Sequence, residues 1–164
     1  MKRISSSLLL ALCALAFAVA GCGGGGSGGT DGAQLSKAQY KSKLKAISKQ
    51  VDTAHNDLSR GAKQAVTVAD VQSVLNRYAA TEQQISDQIS KLDPPANASA
   101  ANAKLALGFH DDSTEIKALV PKLAKLHSAT EAFAFLQSVG HTKGGTEQDA
   151  AVQKLRKLGY TTGS

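Results

Sequence analysis

Apolar residues fall into three regimes along this chain. Leu8 to Val19 form an unbroken apolar run of 12 residues. Gly23 to Gly32 then hold almost nothing that could pack. From Leu35 onward, apolar positions recur every three or four residues, the period of an amphipathic helix. No alternating strand pattern of useful length interrupts them, so residues 35–164 predict one all-α domain with its own core.

The punctuation divides that domain into three long helices and two short ones. Ser36 and Gln39 have capping-box spacing, and Leu35 and Tyr40 stand where a hydrophobic staple closes. A seam from Tyr40 through Leu44, Ile47 and Val51 to Leu58 follows, and Gly61 is expected to end the helix as its C′ residue. Thr67 and Asp70 open a second helix, with Val66 and Val71 as its staple. Its stripe runs from Val68 through Tyr78, Glu82 and Ile85 to Leu92, and Asp93-Pro94-Pro95 stops it. The third helix starts after Pro95 and carries Leu105, Phe109, Asp112, Ile116, Leu119, Leu123 and Leu126. Pro121 is expected to kink its last turns. Ser128-x-x-Glu131 opens a short helix with Phe133, Leu136 and Val139; Gly140 to Gly145 reads as a loop. Thr146-x-x-Asp149 caps a last helix with Val152, Leu155 and Leu158, terminated by Gly159. Short connections between such seams predict an antiparallel bundle, the two short helices together forming a fourth layer.

The segment before the domain carries a different message. Lys2 and Arg3 ahead of the apolar run read as the positive region of an export signal over residues 1–21. The run is shorter than the roughly 20 apolar residues a membrane span needs. Val19-Ala20-Gly21-Cys22 resembles the bacterial lipobox, in which small residues precede an obligatory cysteine. That resemblance implies diacylglycerol on the Cys22 thiol, cleavage after Gly21 and Cys22 as the mature N-terminus. A thioether to lipid needs a thiolate nucleophile, which explains the residue type. The competing reading is a plain signal peptide with an incidental cysteine. Residues 22–34 then serve as a disordered, Gly-rich tether with an r.m.s. reach of about 20 Å, and two acyl chains suffice for stable anchoring. The implied location is the cell membrane, with the domain facing outside the cytoplasm.

Cleavage would remove Lys2 and Arg3 from the 19 basic residues, leaving 17 against 13 acidic ones. It would also remove Cys13, so the mature chain has no disulfide, no cysteine metal site and no cysteine nucleophile. Beyond the lipobox, "LSKAQYKSKLKAIS", "KLDPPA" and the closing "LGYTTG" resemble a family of small actinobacterial lipoproteins, export-signalled, all-helical and mostly uncharacterised. The likeness covers most of residues 35–164 and rests on helix caps and turns. It implies no reaction, ligand or cofactor. Family members often carry cysteines where Ser48 and roughly Thr162 stand here, so the tie those cysteines suggest is missing from this chain.

Glu82 and Asp112 are the charged residues on their helices' core stripes. Folding about Pro94-Pro95 places Glu82 level with residues 107–108, about one turn from Asp112. Two carboxylates facing one cavity could bind a cation or act as an acid/base pair. A slightly rotated stripe would instead bring each acid into water, and a polar layer satisfied by the Tyr78 hydroxyl would serve packing register. A di-metal bundle site wants a Glu-x-x-His pair, and none is present. His110-Asp111-Asp112 with Glu115 is the densest set of metal-ligand types, but His110 points away from the face shared by the acids, as in a solvated acidic face. His55, His127 and His141 carry no local pattern.

Lys37, Lys41, Lys45 and Lys49 recur every four residues close to the tether. They form either an ordinary solvated face or a contact for anionic lipid or an anionic wall polymer. Nucleic acid is excluded as a partner by the export signal and by the lack of aromatics among the lysines. No hydrolase elbow, Walker loop, dinucleotide fingerprint or HExxH is present. The expected function is therefore non-enzymatic: a lipid-anchored envelope protein binding a partner protein or polymer. The alternative is a small-ligand or metal-binding lipoprotein using Glu82 and Asp112.

Overall fold

The computed structural model describes residues 34–160. The expected leader, Cys22 and nearly all of the glycine tether lie outside the described residues. Within them are five helices and no strand: α1 (Lys37–Gln64), α2 (Val68–Ser90), α3 (Ser99–Leu123), α4 (Ala129–Val139) and α5 (Lys143–Lys157). The fold is an all-α antiparallel bundle.

Local signals set most of the helix starts. The Ser36 hydroxyl accepts the Gln39 N–H while the Gln39 side chain accepts the Ser36 N–H, so two otherwise orphaned donors are satisfied reciprocally. Leu35 packs against the core cluster that contains Tyr40. Thr67 and Asp70 build the same box at α2. The staple expected from Val66 to Val71 does not close, because Val66 is 81% exposed. The Asp70 carboxylate accepts the Val66 and Thr67 N–H groups instead, holding the entry turn out in solvent.

Gly61 does not end α1. The helix runs through it to Gln64, and the positive-φ glycines among the described residues are Gly140 and Gly159. A Cβ at Gly61 would lie 2.7 Å from Val74 Cγ2, so this glycine lets α2 approach rather than stopping α1. Pro121 lies inside α3, which ends two residues later at Leu123. Leu126 thus falls beyond the helix, where it still packs in the cluster beneath α4.

Packing along the bundle is carried by α1, α2, α3 and α5. Tyr40, Leu44 and Ile47 of α1 meet Ile85 and Ile89 of α2, Leu105 and Phe109 of α3, and Ala151 and Leu155 of α5 in one cluster. Full burial of a side chain such as Ile85 or Ile89 contributes about 1.5–3 kcal/mol. Small residues bring α2 and α3 close: Ser86 Oγ donates to the Ala106 carbonyl and Ser113 Oγ to the Ala79 carbonyl, both at 2.7 Å. Asn102 fixes the register, accepting from the Tyr40 hydroxyl and donating to the Ile89 carbonyl.

The two short helices do not share a layer. α5 lies along α3 as the fourth helix of the bundle. α4 covers the far end, where Ala129 and Ala132 bury against Val71 and Leu123. Its Ser128 cap forms as expected, and Phe133 and Leu136 are half-buried while Val139 is 39% exposed.

Candidate functional site

Glu82 enters the core from the middle of α2 and is fully buried, and Asp112 of α3 is 7% exposed. The stripes are therefore not rotated into water. Gln148 Nε2 of α5 donates to Glu82 Oε2 at 3.1 Å and reaches the Gly108 carbonyl at 3.4 Å. Glu82 thus stands beside Gly108, the level that folding about the two prolines implies.

The start of α5 decides what the α3 acids do. α5 begins at Lys143, capped by Thr142, so Thr146 is not the cap and Gly144-Gly145 is not a loop. Gly144 lies in the first turn against the backbone of α3. A Cβ there would fall 2.6 Å from the Gly108 carbonyl oxygen and 2.7 Å from Asp112 Cα. Gly144 is the residue whose missing side chain lets the first turn of α5 approach α3 this closely. The Thr142 hydroxyl accepts the Gly145 N–H and donates to Asp112 Oδ1. Glu115 Oε2 accepts the Lys143 N–H at 2.9 Å, and Lys143 Nζ lies 3.7 Å from Asp111 and 3.4 Å from Glu147. Three α3 acids therefore face the positive end of the α5 dipole, where negative charge is favoured.

Glu82 has no such compensation. Its Oε2 takes the Gln148 bond, while Oε1 is buried without a partner. Burial, and then the Asp112 carboxylate, push its pKa up to about 8; the nearby Tyr78 hydroxyl and Gln148 amide pull the other way. Asp112 is also raised, chiefly by burial, with Thr142 opposing. The Tyr78 hydroxyl is 2.9 Å from His55 Nε2. His55 is lowered by burial, against the pull of Asp52 and Asp112.

These residues make a polar layer that docks α5 on α2 and α3. Its polar contacts run through Gln148 and Thr142 as well as the Tyr78 hydroxyl, and they leave Glu82 Oε1 without a hydrogen-bond partner. His110 points outward, as its helical position implies, and pairs with Gln83. Among the described residues, no group of three His, Cys, Asp or Glu side chains is placed to hold a metal ion. Sequence reasoning missed Thr142, Gln148 and His55. The first had a readable signal, a threonine three residues before Gly145; the other two had none, because their partners lie on other helices.

The lysines do not share a face. Four-residue spacing on a 3.6-residue helix drifts by about 40° per step, so Lys37 and Lys49 differ by about 120°. Lys37 Nζ sits 5.3 Å above the Tyr160 ring. Lys49 lines an open groove between α1 and α2 with Thr53, Asp57, Thr81 and Gln84. Lys41 and Lys45 are half-buried between them. No known protein family, characterised protein or solved structure matches this chain.

Proposed function

We propose that this chain is a lipid-anchored protein of the cell envelope, held on the outer side of the cytoplasmic membrane through Cys22, whose bundle binds a partner rather than catalysing a reaction. The observation that carries this reading is Val19-Ala20-Gly21-Cys22 at the end of a 12-residue apolar run behind Lys2 and Arg3. The likeness to small helical lipoproteins agrees with it. Asp112 and Glu115 accept hydrogen bonds at the start of α5, which occupies them in docking that helix.

Cys22→Ser tests the anchor. Wild-type protein should take up labelled palmitate and stay with membranes, and the variant should lose the label and be released or remain an unprocessed precursor. Unlabelled wild-type protein free in the medium would refute the lipobox reading. A cation or small-ligand site at Glu82 and Asp112 is the second reading, favoured by the unpartnered Glu82 Oε1. Titration with divalent cations separates the two: a stoichiometric metal lost in Glu82→Gln would put this site ahead.

A further inference from the structure

Resting on the lipid-anchored reading, we infer that the end of the bundle from which the tether leaves is a basic cap that docks on anionic lipid headgroups, so that the molecule stands end-on upon the membrane. Lys37 is the first residue of α1 and Lys41 lies one turn on, with no acid in the first turn. The positive end of the helix dipole disfavours cations at that place. The acids of α1, Asp52 and Asp57, lie in its second half, well away from that end. Helix stability does not account for this order of charges.

Three other elements bring their ends to the same place. The Leu35 N–H donates to the Asp93 carbonyl after α2, and the Tyr160 hydroxyl donates to Asn97 before α3. Tyr160 follows α5 and meets Tyr40 of α1 edge-on, with ring centroids 5.3 Å apart. These contacts gather Lys91, the C-cap of α2, and Lys154, Arg156 and Lys157 of the last turn of α5 around Lys37 and Lys41. Asp87 and Asp93 are the acids near this end, and none of the six cations belongs to an ion pair among the described residues. The opposite end is more nearly balanced: Arg60 pairs with Asp57, and Asp70 and Glu131 stand among Lys63, Lys122 and Lys125.

Position selects the membrane over a soluble polyanion. A polymer in the envelope would meet every face of the bundle. This cap occupies the end of the bundle nearest Cys22 along the chain, and the few residues between Cys22 and Gln34 keep that end near the headgroups. Several cations there draw the domain down once within a Debye length of about 10 Å at 0.1 M salt. α1 then carries the Val66 turn about 40 Å outward.

The chain has no tryptophan, which supplies a clean probe. The mature chain is coupled through Cys22 to a lipid and placed in vesicles bearing a headgroup energy acceptor, with Ser99→Trp at the tether end or Val66→Trp at the far end. On vesicles with about 30% phosphatidylglycerol, transfer from the Ser99 position should exceed that on phosphatidylcholine severalfold and collapse at about 0.5 M salt. Transfer from the Val66 position should stay low throughout. Joint Lys37→Gln, Lys41→Gln, Lys154→Gln and Lys157→Gln substitution should abolish the difference, and the four arginine substitutions, which keep the charge, should retain it with the same helical signal. Equal transfer on neutral and anionic vesicles would overturn the proposal. So would a closer Val66 probe, or binding of soluble polyphosphate by a chain whose Ser99 probe ignores anionic lipid. Chemical coupling makes this readout independent of cellular acylation, so failure of the anchor appears in palmitate labelling and failure of docking appears here.

Discussion

Glu82 is a carboxyl kept in the core with half of its hydrogen-bonding capacity unused. Its folded pKa lies near 8, against an ordinary 4.5, so the folded chain holds a proton that the unfolded chain releases. Stability from this group is fully present below about pH 4.5, falls as pH rises, and is lost above about pH 8. Asp112 acts in the same direction, because its pKa is also raised. Urea unfolding should therefore give a lower midpoint at pH 8 than at pH 5. Glu82→Gln keeps the Gln148 contact and removes the charge, so it should flatten that slope and stabilise the fold by about 2 kcal/mol at pH 8. An unchanged slope in the variant would show that Glu82 is charged in the folded state without cost. That an acid belonged in the α2 stripe was readable from spacing. Which of its oxygens would find a partner depended on Gln148, 66 residues away.

At the scale of the element, two glycines expected outside helix interiors, Gly61 as a terminator and Gly144 in a loop, both lie within helices and do different work. A Cβ at Gly61 would meet both methyls of Val74, Cγ2 at 2.7 Å and Cγ1 at 3.1 Å, on a side chain with one preferred helical rotamer. Gly61→Ala should cost about 1–2 kcal/mol, because overpacking against Val74 outweighs alanine's better helix propensity. Gly144 faces the backbone of α3, which cannot yield without moving a helix. Gly144→Ala should cost about 2–3 kcal/mol, an overpacking effect. Hydrogen exchange would show faster opening across α5 in that variant and an undisturbed α1. Comparable losses from both alanines would mean that the α3–α5 crossing is no tighter than the α1–α2 contact. The position of the α5 cap follows from the same crossing: Thr142 and Thr146 each offer a plausible start, and only Thr142 puts Gly144 against α3.

For the whole molecule, the described residues contain no cysteine, so nothing within them is held by a disulfide. Thermal unfolding of the bundle should be cooperative and indifferent to reductant. A chain starting at Gly32 should retain the far-UV helical signal of the bundle, because each helix among the described residues begins at Lys37 or later. A substantial loss of helix on that truncation would show that the fold needs residues ahead of Gly32. No helix among the described residues is long and apolar enough to cross a membrane. The proposed anchor at Cys22 and the proposed docking of the basic end are addressed separately by the labelling and energy-transfer experiments.

Spacing and caps by themselves determined the helical class, the starts of α1, α2 and α4, the turn at Pro94-Pro95 and the level at which Glu82 meets α3. Each depends on residues within a few positions of one another, or on counting turns from a fixed corner. Tertiary structure decided the remainder: that α1 continues through Gly61, that α5 starts at Thr142 and not Thr146, that α4 covers an end while α5 completes the bundle, and that Asp112 and Glu115 serve an N-terminus. Those outcomes depend on how closely two backbones approach and on which distant donor reaches a buried oxygen. Hydrophobic periodicity reports the face a residue occupies. It carries no information about the partner across the interface.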